Sequence, residues 1–283
     1  MKKTRRVDPK YYTKDYYLND CTGFDEFKNN YGEKLEPRLD VITKEVPWPK
    51  SGQNILDIGC GRGEIVLWAS ELGANGYGID YSKDAIKLAN EAYKARRKQI
   101  LGKVKFLQMD AKEIDKIPVK FDAIYMTEVL EHLYPEEQDI VLKLIKKKLK
   151  KDGFLFVHTS PSKTFIDLTY RLWTYPVSSV LVSLSNFLNN HNYGNIYKWS
   201  QLRTDSHKIM HVNEPDYFSL KNIFERNGFY GEIKSTNVTF LKPIVSWKDR
   251  LFNFFVYLDP MSKKYPLNVF WGSDFNSILR IRN

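Results

Sequence analysis

Residues 54–80 read NILDIGCGRGEIVLWASELGANGYGID, and the reading of this stretch decides the fold. Ile55, Leu56 and Ile58 form a short apolar run with the look of a buried strand. Gly59, Gly61 and Gly63 then crowd one turn, where the missing Cβ lets a ligand approach the backbone. From Glu64 to Leu72 the apolar residues Ile65, Trp68, Ala69 and Leu72 recur at helical spacing, and Gly73 stops the helix. Tyr77–Ile79 makes the next strand, closed by Asp80. A strand, glycine turn, helix and strand in this order point a helix N-terminus at a ligand.

The details choose among nucleotide-like ligands. The dinucleotide fingerprint is G-x-G-x-x-G with an acid further on. Here the spacing is G-x-G-x-G, with Asp57 before it and Cys60 inside it. A P-loop would carry a Lys–Ser/Thr pair, whereas Glu64 follows Gly63. A carboxylate there repels a pyrophosphate and suits a cationic ligand.

The strings LDIGCGRG and GIDYS resemble the first two motifs of class I S-adenosylmethionine-dependent methyltransferases, in their small-molecule and ubiquinone-biosynthesis branch. The resemblance continues through VKFLQMD (104–110), FDAIYMT (121–127), EVLEHL (128–133) and the strand Phe154–His158 after a turn at Lys151–Gly153. It covers Gln53–Pro161, with a weaker tail. It implies an α/β fold: a Rossmann-like, seven-stranded, mostly parallel sheet with an antiparallel last strand, helices on both faces and lid insertions. S-adenosylmethionine has no phosphate and carries a sulfonium and an amine, which matches an acidic rim.

Site residues follow from the same resemblance. Gly59, Cys60, Gly61 and Gly63 form the turn beside the cofactor. Asp57 lies near its amino-acid end, and Asp80 chelates the ribose hydroxyls. Tyr81 packs on adenine, Asp110 and Ala111 meet the adenine edge, and Glu128 sits where the fourth strand meets the cofactor. The lesser alternative for Asp110 is a turn former. His132, in the EHL string, is a candidate base or a packing residue. His211 is the second candidate, and His158 and Ser160 are expected near the acceptor. His191 and His207 stay unassigned. Before the core, the leading segment is rich in tyrosine, and Leu35, Leu39 and Ile42 have helical spacing within Glu33–Val46. Leading helices of this family lie across the cofactor, so Tyr31 and Arg38 are counted as cofactor contacts. For Arg38 the reasons are its match to the methionine carboxylate and, against that, an equal reading as a solvent-facing turn residue.

The 283 residues carry a formal charge of +10, which favours anionic partners. The densest basic run, Lys143–Lys151, closes a helix and reads as a solvated helix end. No nucleic-acid-binding module is visible, and no nucleic acid partner is expected. Two cysteines, Cys21 and Cys60, and five scattered histidines give no metal spacing, so no metal is expected. Free thiols and the lack of an apolar run behind MKKTRR predict a cytoplasmic protein.

The chain reads as one domain, 1–283, with a helical cap (1–50), a cofactor-binding core (51–161), a lid insertion (162–210) and a C-terminal part of the sheet (211–283) interrupted at 241–267. A helix is expected from Asp216 to Gly228, a strand over Phe229–Phe240, and a closing strand over Val269–Arg282. TYPVSSVLVSLSNFLNN (174–190) is too short to span a membrane. It can form an amphipathic helix with Val180, Leu184, Phe187 and Leu188 near one face. Segment 165–188 is therefore a lid, a homodimer contact or a peripheral membrane contact, with the lid favoured. The resulting expectation is a methyltransferase acting on oxygen, less readily nitrogen or carbon, of a small-molecule, glycan or lipid-linked acceptor. No D/N-P-P-Y string follows the fourth strand, which speaks against exocyclic-amine or glutamine targets. The alternative is a non-catalytic cofactor-binding or protein-interaction subunit.

Overall fold

The computed structural model describes residues 5–189 and 196–282. The strands are β1 (Asn54–Ile58), β2 (Asn75–Asp80), β3 (Val104–Gln108), β4 (Phe121–Thr127), β5 (Leu149–Thr159), β6 (Phe229–Ser235) and β7 (Phe275–Ile281). They form one sheet in the order β3-β2-β1-β4-β5-β7-β6. β7 runs antiparallel to both its neighbours, and the other pairings are parallel. The order reverses between β1 and β4, which opens a crevice at the carboxyl ends of the strands.

The helices are α1 (Phe24–Asn30), α2 (Pro37–Glu45), α3 (Glu64–Glu71), α4 (Lys83–Ala95), α5 (Pro135–Lys148), α6 (Tyr175–Asn189), α7 (Asp205–Met210), α8 (Tyr217–Arg226), α9 (Trp247–Tyr257) and α10 (Asn268–Trp271). Strand alternation sorts the core onto two faces. Leu56, Ile58, Ile124, Met126, Leu155 and Val157 pack on α5 and α8 through Val141, Ile145 and Phe224. Ile55, Tyr125 and Phe156 pack on α2 and α3 through Ile42, Ile65 and Ala69. With both faces covered, the central strands are apolar throughout.

Several boundaries differ from the sequence reading for local reasons. α5, the helix closed by the basic run, starts at Pro135, because proline suits a first helical position, and Glu136 and Glu137 fill its first turn. The turn expected at Lys151–Gly153 is absorbed into β5: Phe121 pairs with Leu149, but Ala123 pairs with Phe154, so the intervening residues bulge. The basic run is only partly solvated, since Lys148 donates to Ile117 O and Lys150 pairs with Asp122 at 2.8 Å. β6 ends at Ser235 because Asn237 turns left-handed, with φ 53°. Within the expected closing strand, α10 comes first and β7 begins only at Phe275. The helix predicted from Asp216 is α8, with Asp216 as its cap and Leu220, Ile223 and Phe224 buried.

The two insertions meet in an annex. A π-helix over Phe165–Thr174, α6 and α9 share a small core of Phe165, Ile166, Tyr170, Val256 and Tyr257. Both insertions leave the sheet at the edge where β5 and β6 end, the edge that also carries the crevice.

Candidate active site

The crevice holds a cavity walled by the ends of β1, β2 and β4 and by the leading segment. The glycine turn forms its floor. Gly61 sits at φ 48°, and its N–H donates to Asp80 Oδ2 at 3.1 Å. Asp80 Oδ1 accepts from Ser82 N at 2.8 Å, so one carboxylate buckles the turns after β1 and β2 together. Burial pushes its pKa up to about 6, while those two backbone bonds pull the other way. Asp57 lies beside it, buried and with no ion pair among the described residues. Burial raises its pKa well above the carboxylate range, and the charges of Glu64 and Asp80 add to this.

The other acids on the wall have cationic company. Arg62 binds Glu64 at 2.8 Å, so the carboxylate that follows the glycine turn is neutralised from within. Arg38 reaches Glu36 at 3.2 Å and Glu128 at 3.3 Å. Asp110 faces Arg6 at 3.6 Å and caps a turn by accepting from Lys112 N at 2.9 Å. Asp110 thus forms the turn and also lines the cavity, as does Ala111. Among the described residues, Asp57 and Asp80 are left as buried carboxylates without a cation, which is the electrostatic setting for a positively charged or hydroxyl-rich ligand.

The leading segment closes the cavity over the glycine turn. Arg62 donates to Tyr17 O at 2.9 Å and Thr22 O at 2.8 Å. Tyr12 O accepts from Ser82 Oγ at 2.6 Å, and its ring packs against Tyr81 with centroids 5.2 Å apart. Tyr12, Tyr16 and Tyr17 all line the cavity. The sequence reading did not assign these tyrosines or Arg62; the signal was the tyrosine cluster itself and a long cation between two turn glycines.

His132 stands on the wall with its Nδ1 2.8 Å from Tyr12 Oη and 3.1 Å from Met210 O. A carbonyl only accepts, so Nδ1 carries the proton and Nε2 keeps a lone pair. Burial lowers the His132 pKa to about 4, and burial together with the neighbouring histidines lowers His211 to about 3. Their rings lie 4.7 Å apart, and His207 lies 4.7 Å from His211 on the other side. Glu131 is fully buried and accepts from Thr159 Oγ1 at 2.9 Å. Burial and the charge of Glu128 raise its pKa far above the usual range, which favours the neutral acid. Glu131, His132 and His211 present ligand atoms within 4.8 Å of one another, a grouping able to hold a metal ion. Sequence spacing carried no hint of it, because the ligands meet only through folding.

Other expected positions fall elsewhere. Tyr31 is not on the cavity wall: it ends α1 in a left-handed conformation, 45% exposed, with its carbonyl bound by Arg96 at 3.3 Å. Gly63 is also off the wall. At φ 87° it starts α3, and a Cβ there would meet the Phe106 ring at 2.7 Å, so it serves helix–sheet packing. Cys60, Gly59, Tyr81 and Glu128 do line the cavity, and His211 lies behind His132. His158 is clamped between carboxylates and is not free to meet an acceptor: Nδ1 lies 2.6 Å from Glu128 and Nε2 3.8 Å from Asp274. His191 lies outside the described residues. None of the described residues from 162 to 209 lines the cavity; this insertion reaches the site through Met210 O on His132.

The chain matches a family model described as a methyltransferase domain over residues 31–232. It is 26% identical over 180 residues to (S)-coclaurine N-methyltransferase of Thalictrum flavum subsp. glaucum, covering 61% of this chain and 46% of that protein. It is 34% identical over 133 residues to the mitochondrial ubiquinone biosynthesis O-methyltransferase of Bos taurus, covering 47% of this chain and 34% of that protein. The chain thus matches less than half the length of these curated relatives. A solved TehB-like SAM-dependent methyltransferase from Corynebacterium glutamicum shares the fold, with a TM-score of 0.51 at 15% identity over 95% of this chain and 98% of that one.

Proposed function

Because the chain belongs to the class I S-adenosylmethionine-dependent methyltransferase family, we propose that it methylates a hydroxyl oxygen of a small-molecule, glycan or lipid-linked acceptor. The observation that carries the reading is the pair of buried, cation-free carboxylates, Asp57 and Asp80, flanking the glycine turn. The residues fit the cofactor. Asp57 would hold its ammonium group, Asp80 its ribose hydroxyls, and Asp110 with Ala111 the adenine edge, beneath the tyrosines of the leading segment. S-adenosylmethionine supplies, when bound, an activated methyl group on a positively charged sulfur.

The chain's own contribution is positioning and proton handling. The leading segment covers part of the cavity with Tyr12, Tyr16 and Tyr17. His132 offers an Nε2 lone pair to an acceptor proton, with the ring fixed by Met210 O and Tyr12. His132 is neutral at pH 7 and ready to accept that proton. Oxygen is favoured because a hydroxyl is a weak nucleophile until its proton is removed, which gives a neutral imidazole its purpose, whereas a neutral amine attacks with its own lone pair. Incubation with labelled S-adenosylmethionine and fractionated small-molecule, lipid and glycan pools tests the reading. Label is expected in one pool, in an alkali-stable ether. Label at nitrogen or carbon would overturn the oxygen assignment, and cofactor binding without transfer to any pool would favour a binding subunit.

A further inference from the structure

The annex presents two apolar stripes that nothing among the described residues covers. On α6, Val180, Leu184, Phe187 and Leu188 are exposed, with Phe187 at 83%. On α9, Trp247, Leu251, Phe254 and Phe255 are exposed. Both sets follow the same i, i+4, i+7, i+8 spacing, so each helix has one outward apolar face. The inward faces are satisfied: Val177 and Leu181 of α6, and Phe252 and Val256 of α9, pack into the annex core. Trp173, in the π-helix that leads into α6, donates to Phe255 O of α9 at 3.1 Å. Solvent-facing apolar residues are ordinary one at a time, but stripes on two packed helices mark an interaction surface.

Charge identifies the partner. α6 contains no charged residue at all, while residues 162–189 and 241–272 together carry seven Lys and Arg against three Asp. All three acids are taken up internally: Asp167 pairs with Arg203 at 2.7 Å, Asp249 with Lys242 at 3.2 Å and Asp259 with Lys263 at 3.0 Å. Lys163, Lys248, Arg250 and Lys264 carry no ion pair among the described residues. Apolar stripes flanked by unpaired cations match a bilayer bearing anionic headgroups. A second copy of the chain would set these cations against their own kind. No described helix is long and apolar enough to cross a membrane, so the contact is interfacial.

We propose that α6 and α9 dock this protein onto an anionic membrane surface, through Phe187 and Phe254 with Lys248 and Arg250 at the rim. The annex leaves the sheet at the same edge as the crevice. The inference stands apart from the reading of the reaction.

Flotation with phosphatidylcholine vesicles, with and without phosphatidylglycerol, tests it on the full chain. Retention is expected only with phosphatidylglycerol, and it should fade in about 1 M salt, where screening shortens to about 3 Å. The double variant Phe187→Glu/Phe254→Glu and the rim variant Lys248→Glu/Arg250→Glu should each lower retention about tenfold, with wild-type affinity for S-adenosylmethionine as proof of folding. Absence of retention overturns the proposal, as does equal retention on neutral vesicles. A lipid-free dimer abolished by Phe187→Glu, without vesicle binding, would assign the face to a second copy instead.

Discussion

His158 Nδ1 lies 2.6 Å from Glu128 Oε1, deep beneath the cavity wall. Glu128 is held there at φ 55°, a left-handed backbone that costs a non-glycine residue of order 1–3 kcal/mol. Its other oxygen faces Arg38 at 3.3 Å. Burial opposes the charge of Glu128, yet the two cations outweigh it and keep the carboxylate ionised. The acid that opens the EVLEHL string is therefore the hub of an ion network tying β4 to β5 and to α2.

Replacing His158 by Ala should destabilise the fold by about 3–5 kcal/mol, because Glu128 and Asp274 lose the charge buried between them. Burial opposes protonation of His158, but the two carboxylates raise its pKa to about 10. Such a histidine contributes its stability in full below the unfolded value of 6.5 and loses it as pH rises through about 10. Denaturant titrations at pH 7 and pH 10.5 should show that loss in the wild type and not in His158→Ala. Equal losses in both would place the alkaline transition elsewhere.

Asp80→Ala should weaken S-adenosylmethionine binding by about 1.5–3 kcal/mol, the scale of hydrogen bonds to a charged group. Hydroxyls donate to the ionised carboxylate, and Asp80 sits at about 6. Wild-type affinity should accordingly fall as pH is lowered through about 6, and the variant should lose that dependence. A variant with wild-type affinity would reduce Asp80 to a turn residue.

His132→Ala should leave cofactor affinity within about threefold and lower kcat by about 10² or more, the scale of a lost general base. Because burial lowers His132 to about 4, the acidic limb of the wild-type rate profile should lie near pH 4 rather than near 6.5. Once an acceptor is known, an unchanged kcat in the variant would move attention to His211.

Gly63→Ala should cost stability, about 1–3 kcal/mol, without touching the ligand directly. The cause is a Cβ at φ 87° placed 2.7 Å from the Phe106 ring. Thermal denaturation reads the effect, and a variant as stable as the wild type would show that the ring yields.

The central sheet was legible because strand, turn and helix signals there are local. Ile55–Ile58, the turn glycines and Asp80 each announce themselves within a few residues. The closure of the cavity was not legible. The Tyr12–His132 bond joins residues 120 apart, and no local pattern encodes such a partner. The same distance hid the grouping of Glu131, His132 and His211. Tyr31 misled because a tyrosine beside a helix pattern looks like a cofactor cover, whereas the chain bends at Tyr31–Gly32 and carries its ring outward. The amphipathic spacing of α6 was correct, but spacing alone does not say whether the stripe faces core or solvent.

Calorimetric titration of S-adenosylmethionine into wild type and Gly61→Val is the most direct measurement. The account predicts one site in the micromolar range for the wild type, no such site for NAD, and loss of binding in the variant, whose side chain would enter the turn at φ 48° beside Tyr17. Equal affinity in wild type and variant, or tighter binding of NAD than of S-adenosylmethionine, would contradict it.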